Sequence, residues 1–334
     1  MQPRLRAGTG DVVRGMRFVL LGVLAGALAC GGNKGPGQGE FRVGLLTPGP
    51  ISDRSWNASA FAGLERIRDS LGAAVSQIQV KTPADFEENF RQYAASGYRI
   101  VIGHGFEFQD AAARVAPDYP GTVFITTGGE TVRPNLAPLS FAFDEPSYLA
   151  GMAAASLSRS GMLACVGGTE LPPVKASFEA FAAGARHVRP DAQVVIAYLG
   201  NWDDASAGKE QALTLMQRGV DVIFQNADAA GLGVFQAARE HPGLLVVGSN
   251  ANQTDIAPSS VIGSVVIDVP HALLRVASAV KDGSFTARIV RLGTTDDVVR
   301  WEPNPAVADA IPVATRARID SAQAQMRAGR FIRP

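Results

Sequence analysis

Apolar runs of strand length alternate with segments of helix length along most of this chain, and this order restricts the fold more than any other feature. Ten apolar runs predict strands, at 41–47, 75–80, 98–103, 122–126, 139–143, 162–167, 193–199, 220–225, 244–248 and 261–267. Segments of helical length lie between them, at 55–70, 84–96, 146–160, 174–188, 205–218 and 230–241. Because the strands are continuously apolar, the order predicts an α/β fold with parallel sheets covered by helices on both faces.

Ten strands would make an unusually wide single sheet, so two sheets in two lobes are predicted. The pattern starts again near 144–146, and the chain is expected to cross back near 264–270. We therefore expect a first lobe built from 41–143 and about 265–300, and a second lobe built from 144–264. A terminal helix of the second lobe is predicted over about 307–328, where Gly329 would end it.

The first 29 residues have the composition of a secretory signal rather than of a folded domain. Arg17 follows Met16, which is an alternative start, and apolar or small residues fill 18–29. A basic start, a short apolar run and small residues before a cleavage site indicate export. The run is too short to span a bilayer, which takes about 20 residues.

Cys30 follows Ala27-Leu28-Ala29 and precedes a glycine-rich segment. This stretch resembles the lipobox of bacterial lipoproteins, whose cysteine receives a diacylglycerol, although Ala27 replaces the usual larger aliphatic residue. Residues 30–40 would then be a flexible tether to the membrane. The alternative is an ordinary secretory signal in which Cys30 has no role. Cys165, in an apolar run, is predicted to be a buried small side chain and not a disulfide partner.

Charge and motifs argue against several classes of function. The chain has 31 basic and 31 acidic residues without charge blocks, so no electrostatic feature for nucleic acid is present. It has no P-loop and no G-x-S-x-G, and its four histidines lack metal-ligand spacing: His104, His187, His241 and His271. Enzymatic activity would have support from fold analogy alone. We therefore expect no catalytic residues, no cofactor and no metal.

The loop at 49–59 contains the most distinctive side chains of the chain. Ligands of open parallel sheets bind at the carboxyl ends of strands, and this loop follows the first strand. Asp53 or Ser55 can cap the following helix, but capping does not account for Trp56 and Asn57 in its first turn. An indole face can stack on a flat ligand, and an amide can both donate and accept hydrogen bonds.

Residues 53–57 resemble the D-x-S-[FW]-N signature of the BMP family, the basic membrane lipoproteins, which includes purine-nucleoside receptors of ABC transporters. Other segments are similar to family motifs in the same order. Residues 98–106 form a strand ending in G-x-G-F, 119–124 are similar to Y-P-x-x-x-F, and 143–151 to F-x-E-x-S-[FY]-L-x-G. Residues 161–184 have the family's V-G-G, Pro and Phe in step. The set covers most of the chain after the leader and is far more specific than any one motif.

The resemblance implies a two-lobed periplasmic-binding fold of type I, with a parallel sheet of about five or six strands in each lobe. It also implies that Trp56 and an aromatic residue of the other lobe sandwich a base-like ring. Trp202, in a loop between a predicted strand and a predicted helix, is the candidate for the second aromatic residue. The alternative is that its indole packs between helix and sheet. Phe106, in the turn similar to G-x-G-F, is a further candidate contact.

Other positions depart from the family pattern. The family's G-V-D-x-D-Q is replaced by 248–253, with Asn250 and Asn252 at the acidic positions. The lysine that follows the next strand in the family's nucleoside receptors is also absent, and Ile267 lies in that region. An asparagine can bond a hydroxyl, but without the strength of a charged acceptor. Asp228, in an altered glycine-rich turn, is a candidate to supply the displaced carboxylate.

Together these patterns predict an exported solute-binding lipoprotein of an ABC transporter, monomeric and anchored through a lipid on Cys30 to the extracytoplasmic face of the cell membrane. Its partner is expected to be an ABC permease. Its ligand is expected to be small, flat and polar, a nucleoside or related compound, contacted by Asp53, Trp56, Asn57, Phe106, Trp202, Asp228 and Asn250. The alternative is a lipoprotein with the same site that presents its solute to a signalling receptor.

Overall fold

Two six-stranded sheets form the framework of the computed structural model, which describes residues 40–332. The predicted signal segment and Cys30 lie outside the described residues. The first sheet has the order β11-β5-β4-β3-β1-β2, with β1 (Arg42–Thr47), β2 (Ala74–Gln79), β3 (Ile100–Gly103), β4 (Val123–Thr127), β5 (Leu136–Phe141) and β11 (Val290–Leu292). The second has the order β12-β10-β9-β8-β6-β7, with β6 (Met162–Gly167), β7 (Gln193–Tyr198), β8 (Val222–Asn226), β9 (Leu245–Asn250), β10 (Val261–Ile267) and β12 (Val299–Pro303).

Helices connect the strands of each sheet. They are α1 (Trp56–Leu71), α2 (Pro83–Ala95), α3 (Gln109–Val115), α4 (Asp144–Leu157), α5 (Pro172–Val188), α6 (Ala205–Gln217), α7 (Asp228–Glu240), α8 (Val269–Asp282), α9 (Pro305–Ala308) and α10 (Val313–Arg327). We call the first sheet with α1, α2, α3 and α8 the first lobe, and the second sheet with α4 to α7 and α10 the second lobe.

The first five strands of each lobe follow the same spatial order, since β2-β1-β3-β4-β5 corresponds to β7-β6-β8-β9-β10. All pairs in both sheets are parallel except β10 with β12. Central strands such as β8 and β10 are buried along their whole length, as expected when helices cover both faces. The expected α/β architecture of two parallel sheets with five or six strands each is confirmed, with β12 as an antiparallel addition.

The chain crosses between the sheets after β5, after β10 and after β11. We expected the return to the first lobe at about 265 and its end at about 300. The observed strand β10 continues in the second sheet to Ile267, and β12 joins that sheet from Val299 onwards. These short edge pairings depend on which strand lies alongside, and the local sequence does not encode that.

Two predicted elements differ from the structure because of proline. The single helix expected over about 307–328 is wrong: α9 and α10 are separated at Pro312, which has no N–H and excludes the preceding residue from the helical conformation. The strand expected at 139–143 begins earlier, at Leu136, and includes Pro138. Pro138 is tolerated because only β4 lies beside it, while β11 pairs with Leu139 to Phe141.

Close packing of α4 on α5 holds the centre of the second lobe. Ten consecutive residues of α4, from Pro146 to Ala155, are buried. Gly151 faces the Phe181 carbonyl and Gly184 faces the Tyr148 carbonyl so closely that a β-carbon on either glycine would overlap that oxygen. The two backbones can therefore approach only because both positions lack side chains.

We expect Gly151→Ala to lower the free energy of unfolding by about 2–3 kcal/mol, because the new methyl group must push α4 away from α5. Urea unfolding followed by circular dichroism measures this. The control is Gly121→Ala, where a β-carbon meets no atom within 4 Å. Equal stability of the two variants would contradict the packing described for α4 and α5.

Candidate ligand-binding cleft

A cavity of about 270 Å³ lies where the carboxyl ends of strands from both sheets face each other. This volume is near the lower end of the range for small-molecule sites. In both sheets the strand order reverses between the first and third strands of the lobe, and ligands of such sheets bind at that point. The lining includes Pro48, Trp56, Phe106, Glu107, Phe141, Phe143, Leu171, Trp202, Asn226, Asp228 and Asn250.

Five of the seven residues predicted to contact a ligand line this cavity: Trp56, Phe106, Trp202, Asp228 and Asn250. They come from separate loops of both lobes, and only the fold brings them together. Asp53 and Asn57 are not in the lining, although both are buried at the start of α1.

Asp53 holds the first turn of α1. Its Oδ1 accepts hydrogen bonds from the N–H groups of Ser55 and Ala58, both at 2.9 Å. Its Oδ2 accepts from the backbone N–H and the side-chain Nδ2 of Asn57, both at 2.8 Å. This carboxylate therefore satisfies N–H groups that a helix start leaves without intrahelical partners. The structure gives Asp53 a positioning role through the helix rather than a place on the cavity wall.

Asn57 is positioned by the same carboxylate. Its side chain is 1 % exposed, and its Nδ2 is engaged by Asp53. Its Oδ1 is buried and has no hydrogen-bond partner among the residues that the structure describes.

The His104 ring packs against one face of the Trp56 indole. The two rings stack with their centroids 3.9 Å apart and 24° between their planes, and Phe141 meets the indole edge-on at 6.0 Å. His104 is fully buried and is not part of the cavity lining, although it directly follows β3. Its contacts orient the indole instead.

The hydrogen bonds of His104 define its protonation. Nε2 lies 3.0 Å from the Trp56 carbonyl, which can only accept, and Nδ1 lies 2.9 Å from Thr127 Oγ1. The neutral tautomer with a proton on Nε2 satisfies both partners. Burial lowers the pKa of His104 to about 3, against the opposing effect of the bond to the Trp56 carbonyl. The His104 ring that stacks on Trp56 is therefore uncharged at physiological pH.

Trp202 approaches the cavity from the second lobe. It lies in the loop between β7 and α6, and its carbonyl accepts a hydrogen bond from Ala230 N–H at 2.9 Å. Its indole packs so closely on the Gly168 backbone that a β-carbon there would overlap the ring. The ring is part-buried and also contributes to the cavity wall. Packing and exposure to the cavity, the two alternatives for this residue, are thus both present.

Asp228 and Asn250 form a polar cluster on the second lobe with Asn226. Asn226 was not among the site residues predicted from the sequence. Asn250 Nδ2 lies 3.3 Å from Asn226 Oδ1 and 3.4 Å from Asp228 Oδ1. Asp228 has φ of 49° and Asn250 has φ of 66°, in the left-handed region that Asp and Asn tolerate better than most residues. Burial, followed by the charges of Asp53 and Glu107, raises the pKa of Asp228 well above its ordinary value.

Glu107 is a second site residue that the sequence analysis did not select. It follows β3, lines the cavity, and lies with its carboxylate against the Gly105 backbone. Burial raises the pKa of Glu107 to about 7. A glutamate in a loop gives no local signal of such an environment, because the burial comes from residues distant in the chain.

Direct contacts between the lobes close one side of the cleft. Asn250 Nδ2 donates to Ser55 Oγ at 3.1 Å, and Gln253 Nε2 donates to the Arg54 carbonyl at 3.1 Å. The Arg54 guanidinium also pairs with Asp255. The same loop that starts α1 therefore contacts β9 and the segment after it.

The sequence matches the Bmp family, described as ABC transporter substrate-binding protein PnrA-like, over residues 41–323. The chain belongs to the Bmp family. It is 27% identical over 297 residues to the ABC transporter nucleoside-binding protein BmpA of Lactococcus lactis subsp. cremoris, with 82% of this chain and 85% of that protein covered. It is 25% identical over 290 residues to a purine-binding protein of Brucella abortus, with 85% and 82% covered.

A solved structure of an ABC transporter solute-binding protein from Aeropyrum pernix K1 is similar with a TM-score of 0.82 and 22% identity, over 88% of this chain and 94% of that one. The predicted BMP resemblance and the two-lobed type I fold are thereby confirmed. The Bmp family is one of substrate-binding proteins, not of enzymes. Within residues 40–332, no helix has the length and apolar character needed to cross a membrane.

This Bmp chain has Asn250 where the family commonly has an acidic residue, and the asparagine suits the residues around it. Asn250 donates toward two oxygen acceptors, Asn226 Oδ1 and Asp228 Oδ1. An aspartate at 250 would offer them an acceptor when ionised and would place a second carboxylate beside Asp228. The amide at 250 and the carboxylate at 228 are therefore complementary.

We expect Asn250→Asp to lower the free energy of unfolding by about 2–4 kcal/mol at pH 8, because buried acceptors then face each other. The loss should shrink at pH 5, where the introduced carboxyl group can be protonated and donate. Urea unfolding at both pH values measures it. Aspartate also tolerates the left-handed backbone at 250.

The exchanged pair, Asp228→Asn with Asn250→Asp, is the matched control for that prediction, because it keeps one carboxylate and one amide in the same cluster. It should recover most of the lost stability. A double variant as unstable as the sum of the two single variants would contradict the pairing.

Proposed function

We propose that this chain is an extracytoplasmic, lipid-anchored substrate-binding protein that delivers a nucleoside-like solute to an ABC permease. Membership of the Bmp family supports the transport role, and the nucleoside-binding and purine-binding relatives support this class of ligand. The observation that carries the proposal is the cavity between the lobes, in which Trp56 is oriented by a stacked, neutral His104.

A flat heterocycle fits the character of this cavity. The aromatic side chains of Trp56, Phe106, Phe141, Phe143 and Trp202 line it, and a purine ring stacked on one of them gains about 0.5–1.5 kcal/mol beyond its burial. His104 fixes one face of the Trp56 indole, so little side-chain entropy remains to be lost when a ligand stacks on it.

Polar groups from both lobes would orient the ligand once the ring is stacked. Asp228, Asn226 and Asn250 come from the second lobe, and Glu107 comes from the first. In a closed cleft each polar group left unpaired by a wrong ligand costs about 1–3 kcal/mol, and this penalty provides selectivity. Asp53 and Asn57 would contribute by holding the first turn of α1 in place.

Closure of the lobes is the proposed means of trapping the solute. The three crossovers after β5, β10 and β11 join the lobes, as in binding proteins that close by a hinge. The contacts of Ser55 with Asn250 and of Arg54 with Asp255 and Gln253 would form as the cleft closes. The exposed Arg54–Asp255 pair contributes little by itself, about 0–1 kcal/mol.

Export and lipid attachment rest on the leader. The apolar run at 18–29 and the residues Ala27-Leu28-Ala29-Cys30 support cleavage before Cys30 and acylation of its thiol. The glycine-rich segment that follows would let the lobes stand away from the membrane surface.

We expect Trp56→Ala to weaken nucleoside binding at least roughly 30-fold, because both stacking and apolar burial are lost. Isothermal titration calorimetry with adenosine, guanosine, inosine, cytidine and uridine measures this. Trp56→Phe, which keeps an aromatic face, should retain most of the affinity. Tyr119→Ala, which removes a ring outside the cavity lining, is the control. Unchanged affinity in Trp56→Ala would remove this cavity as the binding site.

Cys30→Ser is expected to abolish lipid attachment, since a hydroxyl does not take the place of the acylated thiol. Expression in a bacterial host with radiolabelled palmitate should label the wild-type protein and leave the variant unlabelled. Cys165→Ser is the matched control, because Cys165 is fully buried. Equal labelling of wild-type and Cys30→Ser proteins would refute the anchor.

A further inference from the structure

The cavity wall carries more acidic than basic side chains. Asp228 is buried, Glu107 and Asp144 are half-buried, and Glu130 and Arg291 are exposed. Arg291 lies 3.6 Å from Asp144 and is therefore engaged with one of these acids. Among the residues that the structure describes, Glu107 and Asp228 have no cationic side chain in ion-pair distance.

Glu107 and Asp228, which we call the acid pair, come from opposite lobes. Glu107 follows β3 in the first lobe, and Asp228 begins α7 in the second. Asp228 is only 5% exposed, and the charge of Glu107 contributes to raising its pKa. The two carboxyl groups are thus close enough to repel each other across the cavity when both are ionised.

The carboxyl group of Asp228 has hydrogen-bond partners among other side chains. Within the described part of the chain, the carboxyl group of Glu107 is hydrogen-bonded to its own backbone. Asp228 receives Ser55 and the Asn250 amide as donors. The bond that opposes the raised pKa of Glu107 comes from its own main chain. The carboxyl group of Glu107 therefore retains acceptor capacity, and Glu107 is part of the cavity wall.

We propose that Glu107 is a specificity-determining residue of this cleft, whose carboxylate accepts hydrogen bonds from donor groups of the solute and so selects neutral or cationic donor-rich ligands over anionic ones. This inference rests on the proposed function and adds which kind of ligand group Glu107 recognises. The donors are hydroxyl groups of a sugar or an amino group, and both present N–H or O–H to a carboxylate. An anionic solute would meet two acids of the cavity wall that have no cation in ion-pair distance.

The charged groups around Glu107 determine how binding depends on pH. Glu130, Asp144, Asp228 and Arg291 share the cavity wall, while Asp53 and the neutral His104 lie behind it. Because burial raises the pKa of Glu107 to about 7, the empty protein holds a proton there at pH 6 and has largely lost it at pH 8. A ligand that donates to the carboxylate must displace this proton, so its affinity should rise about tenfold from pH 6 to pH 8.

The experiment measures adenosine binding to the wild-type protein and to Glu107→Gln by calorimetry at pH 6 and pH 8. The isosteric amide keeps the volume and loses the charge. We expect roughly tenfold weaker binding in the variant at pH 8 and a smaller difference at pH 6. Glu88→Gln, on the exposed side of α2, is the control and should behave as wild type. The rise in affinity from pH 6 to pH 8 should be lost in Glu107→Gln, and a tenfold rise that persists in this variant would contradict the role of Glu107 in the pH dependence.

Matched ligands identify the donor. Purine riboside lacks the amino group of adenosine and gains no new N–H donor, and 2′,3′-dideoxyadenosine removes two hydroxyls. The effect of Glu107→Gln should disappear for whichever compound lacks the donor that Glu107 accepts from. Adenosine monophosphate adds an anion and should bind the wild-type protein much more weakly than adenosine.

The outcomes separate this inference from the proposed function. If nucleosides bind but Glu107→Gln changes neither affinity nor pH dependence, the role of Glu107 is overturned and the proposed function stands. If nucleosides fail but other polyols or amines bind with the same dependence on Glu107, the nucleoside proposal is overturned and the role of Glu107 stands. If only anionic compounds bind, or none of these classes, both are overturned.

Discussion

The four hydrogen bonds accepted by Asp53 are the interaction on which the cleft depends. They hold the first turn of α1, and this turn presents Trp56 to the cavity and Ser55 to the second lobe. A helix start has several N–H groups without partners, and a buried carboxylate can satisfy them only from one position. Because His104 then supports Trp56 through both its ring and the Trp56 carbonyl, the indole has little freedom left before a ligand arrives.

The polar side of the cleft follows from a balance between donors and acceptors. Buried carboxyl groups without cations are unfavourable when ionised, so both Glu107 and Asp228 hold protons more tightly than exposed acids do. On the second lobe Asn250 lowers the cost of ionising Asp228, because its amide donates a hydrogen bond at a position where the family commonly has an acid. Within the described residues Glu107 has no side-chain amide donor beside it. Because of this difference from Asp228, we expect the protonation of Glu107 to depend most on the ligand in the cavity.

Much of the fold could be predicted because the central strands are mostly apolar and helices separate them. The helices α3 and α8 and the edge strands β11 and β12 were not predicted from the sequence. Their formation depends on contacts with residues far away in the chain. Pro312 was missed as a helix break, although its missing N–H is a local signal. At the site, Trp56 and Asp228 carried local signals in their loops, whereas Asn226 gained its environment from Asn250 at the end of the neighbouring strand and Glu107 from its burial in the cavity wall.

The α/β class, the division into two lobes and the family can be inferred without a structure, because periodicity and ordered motifs are properties of local chemistry and spacing. Which of the predicted contacts reach the cavity depends on how the chain folds. Asp53 faces the helix start because unpaired N–H groups lie within its reach, and the side chain of Asn57 donates to Asp53. His104 lies against the indole rather than beside a ligand. Whether a polar side chain meets solvent, a ligand or a backbone N–H depends on residues far away in the chain, and no local pattern records that.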